Sequence, residues 1–312
     1  MKHQVQNFLV RSGVLRASQG LHGVLCGHGV LILMGHQVRD DDDPADGLRR
    51  GQLAALIEYL QQHYRIVSLE ESYQRLTARV REPLVVLTFD DGYADNHRNA
   101  WPVLRAYGAP ATVFVATGLT GTRERVWTLE VRDWLRHSAV ALAEPPKAVL
   151  EYLKRLPHDE REVALQDLRR RLRVTPTEAT DAERMMTAEE LRELAADPLI
   201  TLGAHTAHHE ILSRLPVEQA RREIAESVEA LAQMTGQRPR CFAYPNGQPG
   251  DYGAEHIAML RELGFEAAVT TVEGLNWPGG PPFELRRIPL GTGDVEQCMW
   301  RTSILAHCAK AG

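Results

Sequence analysis

The sequence has few cysteines and no long apolar run. Its four cysteines (Cys26, Cys241, Cys298 and Cys308) have neither the spacing of a zinc finger nor the density of a disulfide-rich scaffold, which favours a reducing compartment. No apolar run approaches the roughly 20 residues that a membrane-spanning helix needs, and the start does not read as a secretory signal. We therefore expect a cytoplasmic protein without a transmembrane segment. A short amphipathic helix at the start leaves peripheral membrane contact open.

The charge balance argues against a nucleic-acid partner. The chain has 36 Lys and Arg residues against 41 Asp and Glu residues, which gives a formal net charge of −5 at pH 7. A surface that binds nucleic acid is usually basic. The hydrophobic fraction of 44% and the charged fraction of 25% are those of a soluble globular protein. A length of 312 residues suits one large α/β domain or two modest ones.

Apolar segments of strand length alternate with segments of helical period. This alternation is typical of βα units around a mainly parallel sheet, and about eight such strands favour a closed barrel over an open sheet. The candidate strands are Val30–Met34, Ile66–Leu69, Leu84–Phe89, Ala111–Ala116, Leu199–Ala204, Arg240–Tyr244, Glu266–Thr270 and Leu285–Pro289. Helices are predicted at Thr187–Ala195, where Thr187 and Glu190 form a capping box, at Pro216–Thr235 and at Asp251–Leu263.

The alternation of strand-like and helical segments stops between Gly118 and Met186. This stretch is too long for a plain loop, and its apolar residues, among them Trp127 and Trp134, stand between many Arg and Glu residues. We predict a helical insertion that caps the barrel mouth. The chain then divides into a helical extension (1–29) and a single barrel domain (30–312) that carries the insertion (118–186).

The strongest local signal is a buried strand that runs into two adjacent carboxylates, Asp90 and Asp91. Residues at the carboxyl ends of barrel strands line the active site. Two carboxylates so close repel each other, and a structure keeps them where a cation or a proton transfer needs them. A helix cap is the simpler explanation, but Asp95 could supply that cap alone. The pair therefore predicts a functional site.

A second signal follows the strand Leu199–Ala204. His205 and His209 are four residues apart, so one helical turn would place both imidazoles on one face, within reach of a single ion. Imidazole together with carboxylate suits Zn²⁺ and its first-row neighbours. His208 would project away from this pair as an exposed polar residue.

Two further strand ends carry polar groups. The turn Tyr244–Gly247 exposes backbone N–H groups of the kind that stabilise a developing oxyanion. Arg286 and Arg287 lie on opposite faces of the last predicted strand, so one of them should point into the barrel, where an arginine needs an acidic partner. Separate strands thus deliver compatible groups to one rim.

These motifs, in this order, resemble those of the polysaccharide deacetylase family (the NodB-homology group, carbohydrate esterase family 4). The matching segments are Thr88–Gly92, the histidines of His205–His209, and Phe242–Gly247, with a weaker match at Leu33–Val38. The resemblance implies a distorted (β/α) barrel of seven or eight mainly parallel strands. It also implies removal of acetyl groups from amino sugars in glycans, with one divalent metal ion: Zn²⁺ first, with Co²⁺, Ni²⁺ or Mn²⁺ as alternatives.

The resemblance assigns a role to each matching residue. Asp90 would be the general base, and Tyr244 would offer its backbone N–H to the oxyanion. The metal ligands would be Asp91, His205 and His209. The substrate would be contacted by Gly92, Tyr93, Pro245, Asn246 and His36.

The chain departs from the family pattern in two places. Phe242 stands near the position of the arginine that tethers the base, and Arg287 is the candidate replacement, which would keep Asp90 ionised. The late Leu-x-His that supplies a general acid is missing, and His307 lies too near the terminus to take its place. At the first motif Gly35 stands where a tyrosine usually precedes the histidine, so His36 either lines the pocket or packs.

Several functions stay open on the sequence. Two histidines and a carboxylate also bind non-haem iron, although usually on β-sandwich scaffolds. An aspartyl phosphatase would need a second acid where Gly92 and Tyr93 stand. A glycan-binding relic, or a deacylase of a small or lipid-linked amide, would retain the same motifs. The main prediction is a metal-dependent hydrolase that removes N-acetyl groups from an amino-sugar glycan, oligosaccharide or glycan precursor.

Overall fold

A single parallel sheet forms the centre of the protein. The computed structural model describes residues 29–290 except 44–46, 79, 141 and 176–177. The predicted extension (1–29, apart from Gly29) and His307 lie outside the described residues. The strands of the sheet are β1 (Val30–Gly35), β4 (Arg65–Ile66), β5 (Leu84–Phe89), β6 (Ala111–Val115), β7 (Ile200–Ala204), β8 (Cys241–Ala243), β9 (Ala267–Val269) and β10 (Ile288–Pro289). A separate parallel pair joins β2 (Val38–Arg39) to β3 (Leu48–Arg49).

The sheet curls into a half-barrel. Its order is β10-β1-β5-β6-β7-β8-β9, with β4 paired to the start of β5, and every pairing is parallel. Between the two edges of this order, the bridge Val269–Leu285 connects β9 to the segment that leads into β10. The predicted distorted (β/α) barrel of seven or eight mainly parallel strands is therefore confirmed.

Both faces of the sheet are apolar because both are covered. In β1, Leu31 and Leu33 pack outward among residues of the surrounding helices, while Val30 and Ile32 pack inward with Phe114 of β6. This alternation follows from the two-residue period of a strand. It leaves the strand ends as the places where polar groups can face solvent.

Nine helices surround the sheet in the described part of the chain. They are α1 (Arg50–His63), α2 (Leu69–Arg75), α3 (Trp101–Tyr107), α4 (Trp127–His137), α5 (Pro146–Arg155), α6 (His158–Leu172), α7 (Ala188–Ala195), α8 (Val217–Thr235) and α9 (Ala254–Glu262). The predicted capping box of α7 is confirmed, since Thr187 and Glu190 exchange hydrogen bonds between side chain and backbone. None of the described helices is both long enough and apolar enough to cross a bilayer.

Local capping changes the bounds of some predicted elements. Of the expected strand Ile66–Leu69 only Ile66 belongs to β4, because the Ser68 side chain accepts a hydrogen bond from the Glu71 N–H and begins α2. The helix expected from Asp251 begins at Ala254, because the Asp251 carboxylate accepts hydrogen bonds in the preceding turn instead. Asp95, which the sequence offered as a possible helix cap, makes no capping hydrogen bond with its side chain.

The segment between residues 118 and 186 folds around a small core of its own. Helices α4, α5 and α6 bury their apolar faces against one another, with Trp134, Leu150 and Leu168 among the buried side chains. Their polar faces are left to solvent and to the mouth of the barrel. The division of the chain at residues 29, 118 and 186 stays a prediction.

Candidate active site

The carboxyl ends of β5, β7 and β8 open into one cavity of about 830 Å³. Asp90 and Asp91 follow β5, His205 follows β7, and Tyr244 follows β8. Because the strands are parallel, their carboxyl ends meet at the same rim of the sheet. The cavity is also lined by residues of α4 and α5, so the insertion forms part of its wall.

Asp91, His205 and His209 converge on one point. The Asp91 Oδ1 atom lies 3.4 Å from His205 Nε2 and 3.3 Å from His209 Nε2. One potential ligand atom from each of the three side chains lies within 4.8 Å of the others, and all three residues are buried. Two imidazoles and one carboxylate form a ligand set suited to Zn²⁺ and related first-row ions.

The donor set fits a cation on its own chemistry. His205 Nδ1 lies 2.7 Å from the Ala243 carbonyl oxygen, an arrangement in which Nδ1–H donates and the Nε2 lone pair faces Asp91. Asp91 Oδ1 is buried and accepts no hydrogen bond. A buried carboxylate oxygen without a donor is costly unless something else compensates its charge. A divalent cation at this point would do so.

The prediction that one helical turn joins the two histidines is wrong. Residues 205–209 form a non-helical turn, in which Thr206 and His209 both have φ of 59°. The rings stand nearly perpendicular, at 77°, with their centroids 4.8 Å apart. His208 is exposed, as expected, and its Nδ1 atom lies 2.8 Å from the Glu223 carboxylate of α8.

Left-handed backbone conformations gather around the cavity. Side chains other than glycine rarely adopt positive φ, and such strain concentrates at functional sites. Four of the five non-glycine residues with positive φ among those described lie here: Asp91, Thr206, His209 and Asn246. This concentration of positive φ supports a functional role for the cavity.

Asp90 is held by Arg287 of the segment before β10. The Arg287 guanidinium donates from Nη1 and Nη2 to the two oxygens of Asp90, both at 2.7 Å. Its Nε donates to the Thr270 carbonyl at 2.7 Å, and Nη1 also reaches Thr88 Oγ1 at 3.2 Å. Both partners of the pair are buried. The structure thus places a guanidinium where the sequence predicted one, from a strand other than that of Phe242.

The two carboxylates are kept ionised by different partners. Burial alone would raise the pKa of Asp90, but the charge and hydrogen bonds of Arg287 lower it below its usual value. Burial would likewise raise the pKa of Asp91, and without a cation the adjacent His209 and His205, when their Nε2 atoms carry protons, bring it well below its usual range. Asp90 is thereby left as an ionised carboxylate outside the three-ligand cluster.

The turn after β8 changes one assignment. The Tyr244 N–H donates to the Val269 carbonyl at 3.2 Å, within the sheet, which argues against its predicted oxyanion role. Residue 245 is proline and has no N–H. The next N–H belongs to Asn246, which lines the cavity and, within the described residues, donates this N–H to no acceptor. The outward donor of this turn is therefore Asn246.

The predicted substrate contacts divide into two groups. His36, Tyr93 and Asn246 line the cavity, and His36 is exposed there. Gly92 and Pro245 are buried and do not line it, so direct contact with a substrate is not expected of them. Gly92 has φ of 87°, and a Cβ on it would lie 3.1 Å from Val115 Cγ1. Its role is to let the chain turn sharply after Asp91.

An ion pair that the sequence analysis missed ties the insertion to the histidine turn. Arg161 of α6 is fully buried, and its Nη2 donates to both carboxylate oxygens of Glu210 at 2.7 Å. Glu210 follows the ligand candidate His209 directly. The two partners are 49 residues apart, so no local motif announces the pair.

Replacing Arg161 by methionine is expected to lower the free energy of unfolding by about 3 kcal/mol, because the Glu210 carboxylate would stay buried without its partner. The cost should lie at the low end for a buried pair, since His158 remains 3.4 Å from Glu210. Denaturant unfolding measures it, with the exposed Arg171→Met as the control. A loss under 1 kcal/mol would contradict the assigned importance of this pair.

Known proteins share the sequence pattern of this chain. The sequence pattern of the polysaccharide deacetylase family matches residues 77–268. The chain is 23% identical over 232 residues to YxkH of Bacillus subtilis (strain 168), which is named for the same family. It is 25% identical over 281 residues to the poly-beta-1,6-N-acetyl-D-glucosamine N-deacetylase of Escherichia coli (strain K12). These matches cover 74% and 80% of this chain, but only 60% and 34% of the two relatives.

Solved structures show the same fold. IcaB from Ammonifex degensii superposes with a TM-score of 0.62 at 22% identity, covering 88% of this chain and 97% of that one. A de-N-acetylase from Aggregatibacter actinomycetemcomitans gives a TM-score of 0.59 at 16% identity, covering 87% and 99%. Identities this low support the fold alone. The family pattern, however, spans more than half of the sequence, and the chain belongs to the polysaccharide deacetylase family.

Proposed function

We propose that this protein is a metal-dependent hydrolase that removes N-acetyl groups from an amino-sugar glycan or its precursor. One observation carries the proposal: three buried ligand atoms converge on a point beside Asp90, a carboxylate that Arg287 keeps ionised. The family supports this chemistry, and so does the name of the Escherichia coli relative.

The metal candidates follow from the ligand set. Asp91, His205 and His209 would hold one divalent cation, with Zn²⁺ preferred and Co²⁺, Ni²⁺ or Mn²⁺ as alternatives. When bound, such a cation supplies Lewis-acid activation of water and of the amide carbonyl.

The chain's own residues perform the proton and charge work. Asp90 accepts a proton from the attacking water, and Arg287 orients it and keeps it unprotonated at neutral pH. The backbone N–H of Asn246 faces the negative charge that develops on the carbonyl oxygen. The amide C–N bond then breaks, the nitrogen takes up a proton, and acetate and a free amine leave.

Metal removal tests the proposal directly. Incubation with a chelator should abolish acetate release from N-acetylglucosamine oligosaccharides, and added Zn²⁺ should restore it. His205→Ala and His209→Ala should each lose bound metal by elemental analysis, because a two-ligand site holds the ion much more weakly. His208→Ala is the matched control, since its ring is exposed and faces Glu223. Undiminished turnover in metal-free protein would refute the proposal.

The same purified protein and substrates distinguish the alternative functions. Glycan binding without acetate release would favour a protein that has lost turnover. Consumption of O₂ with a keto acid would favour an oxygenase. The cytoplasmic location and the lack of a nucleic-acid partner stay predictions.

A further inference from the structure

The wall of the cavity that the insertion contributes is basic. We infer that this wall, which we call the basic wall (Arg132 and Arg136 of α4 with Lys147 and Lys154 of α5), binds an anionic group of the substrate. The substrate would then be an acetylated amino-sugar glycan that also carries a carboxylate or a phosphate. This inference rests on the proposed function and specifies its substrate class.

The helix periodicity sets the basic wall toward the cavity. Arg132 and Arg136 are one turn apart, and Lys147 and Lys154 are two turns apart, so each pair shares one face of its helix. The apolar faces of the same helices, with Trp134 and Leu150, are buried in the core of the insertion. Because the apolar faces are fixed inward, all four basic residues line the cavity that contains Asp90 and Asp91.

Ion pairs leave part of this charge uncompensated. Lys154 pairs with Glu151 at 3.2 Å. The neighbouring Arg125 is compensated twice, by Asp133 at 2.9 Å and by Glu183 at 2.8 Å. Arg132 and Lys147, in contrast, are exposed and have no carboxylate within 4.0 Å among the residues that the structure describes. The insertion side of the cavity thus holds five basic residues against three acidic ones.

This distribution differs from that of the chain as a whole. The protein carries a formal charge of −5, so the surplus of positive charge on the insertion side of the cavity is not a property of its general composition. An exposed basic face is often only a solvated face, but this one shares a cavity with the catalytic candidates. A neutral glycan has hydroxyl oxygens to accept hydrogen bonds from Arg132 or Lys147 but no charge to compensate theirs.

Charge is distributed unevenly within the cavity. Its floor holds the Asp90 and Asp91 carboxylates, and its wall holds the surplus of positive charge. An anion on the substrate is therefore attracted to α4 and α5. A substrate bound by its anionic group at the wall would present a neutral acetamido group to Asp90.

Three probes separate the possible substrates. The neutral probe is an N-acetylglucosamine tetrasaccharide. The carboxylate probe is a tetrasaccharide of alternating N-acetylglucosamine and glucuronic acid, and the phosphate probe is N-acetylglucosamine 1-phosphate. Reactions use the metal-loaded protein, and kcat/KM is obtained from acetate release at low ionic strength.

The double variant Arg132→Gln/Lys147→Gln should lower kcat/KM for at least one anionic probe by about tenfold, because charge pairing governs encounter and binding. The value for the neutral probe should stay within about twofold. Added salt should weaken the wild-type preference for the anionic probe, since surface charges are screened. The matched control is Arg155→Gln/Arg171→Gln, which removes two exposed charges from α5 and α6 outside the cavity.

The probe that loses its advantage identifies the anion as carboxylate or phosphate. Equal losses for neutral and anionic probes, or no loss for either anion, would overturn the inference and leave the proposed deacetylation standing. If no probe is hydrolysed, the proposed function fails. The inference about the basic wall can then still be tested by calorimetric binding of the probes to the Asp90→Asn protein with and without the double variant. Equal affinity for neutral and anionic probes there would also overturn it.

Discussion

Replacing Asp90 by asparagine is expected to lower deacetylase turnover by about 10²–10⁴-fold, the contribution that a positioned general base makes. Asparagine keeps the shape of the side chain but has no basic oxygen to accept a proton from water. The three-ligand cluster is Asp91, His205 and His209, so the metal content should be largely kept. Acetate release and elemental analysis of the same preparation measure both quantities.

The comparison with His205→Ala makes this result specific. That variant should lose metal and turnover together, whereas Asp90→Asn should lose turnover alone. Asp40→Asn, in an exposed loop, controls for the change of charge. Full turnover in the Asp90→Asn protein would remove the general-base assignment without affecting the ligand set.

Replacing Arg287 by methionine is expected to affect both activity and stability. Asp90 would remain buried without its counter-charge, which typically costs roughly 3–5 kcal/mol of unfolding free energy when one partner of a buried pair is removed. The pKa of Asp90 would rise, since burial raises it once the arginine is gone. A protonated base cannot accept a proton, so turnover at neutral pH should fall by about 10²-fold or more.

The pH dependence of stability has a definite sign. In the wild-type protein the pKa of Asp90 is lower in the folded state than in the unfolded state, so the ionised pair stabilises the fold above the unfolded pKa. This stabilisation is lost as the pH falls through the folded pKa. The difference in stability between wild type and Arg287→Met should therefore be larger at pH 7 than at pH 4, as chemical denaturation at the two values will measure.

Two further variants show whether loss of the Asp90–Arg287 pair causes the expected changes in stability and turnover. Arg286→Met removes the neighbouring arginine, which is exposed and does not contact Asp90, and should leave stability and turnover nearly unchanged. Adding Asp90→Asn to Arg287→Met should recover part of the lost stability, because the uncompensated charge is gone. Unchanged turnover in Arg287→Met would show that the guanidinium is not needed to hold the base.

The sequence predicted the fold well because most of its signals are local. Continuous apolar runs such as Leu84–Phe89 identify strands buried on both faces, and the alternation with helices identifies a parallel barrel. The sequence did not show that the barrel would close incompletely. Closure depends on how far β9 pairs with the segment before β10, and these two segments share a single bridge. The predicted bounds of the short strand Arg65–Ile66 ran too far along the chain, because the cap at Ser68 begins a helix where the strand would have to continue pairing.

The site was predictable in its residues more than in its geometry. Side chains at strand ends identify the cluster, since parallel strands bring their ends together. The way in which the two histidines meet depends on left-handed turns at Thr206 and His209, which no spacing rule reveals. The Tyr244 N–H was misassigned because the ladder between β8 and β9 extends one residue further than expected. Pairs such as Arg161–Glu210 are invisible until distant segments are placed side by side.

The place of Arg287 in the chain has a consequence for biosynthesis. Asp90 emerges from the ribosome almost two hundred residues before the arginine that orients it, and that arginine precedes a strand that must dock against β1. Domains form largely as the nascent chain grows. A growing polypeptide that stops before β10 therefore contains Asp91, His205 and His209 but lacks the residue that fixes the orientation of its base.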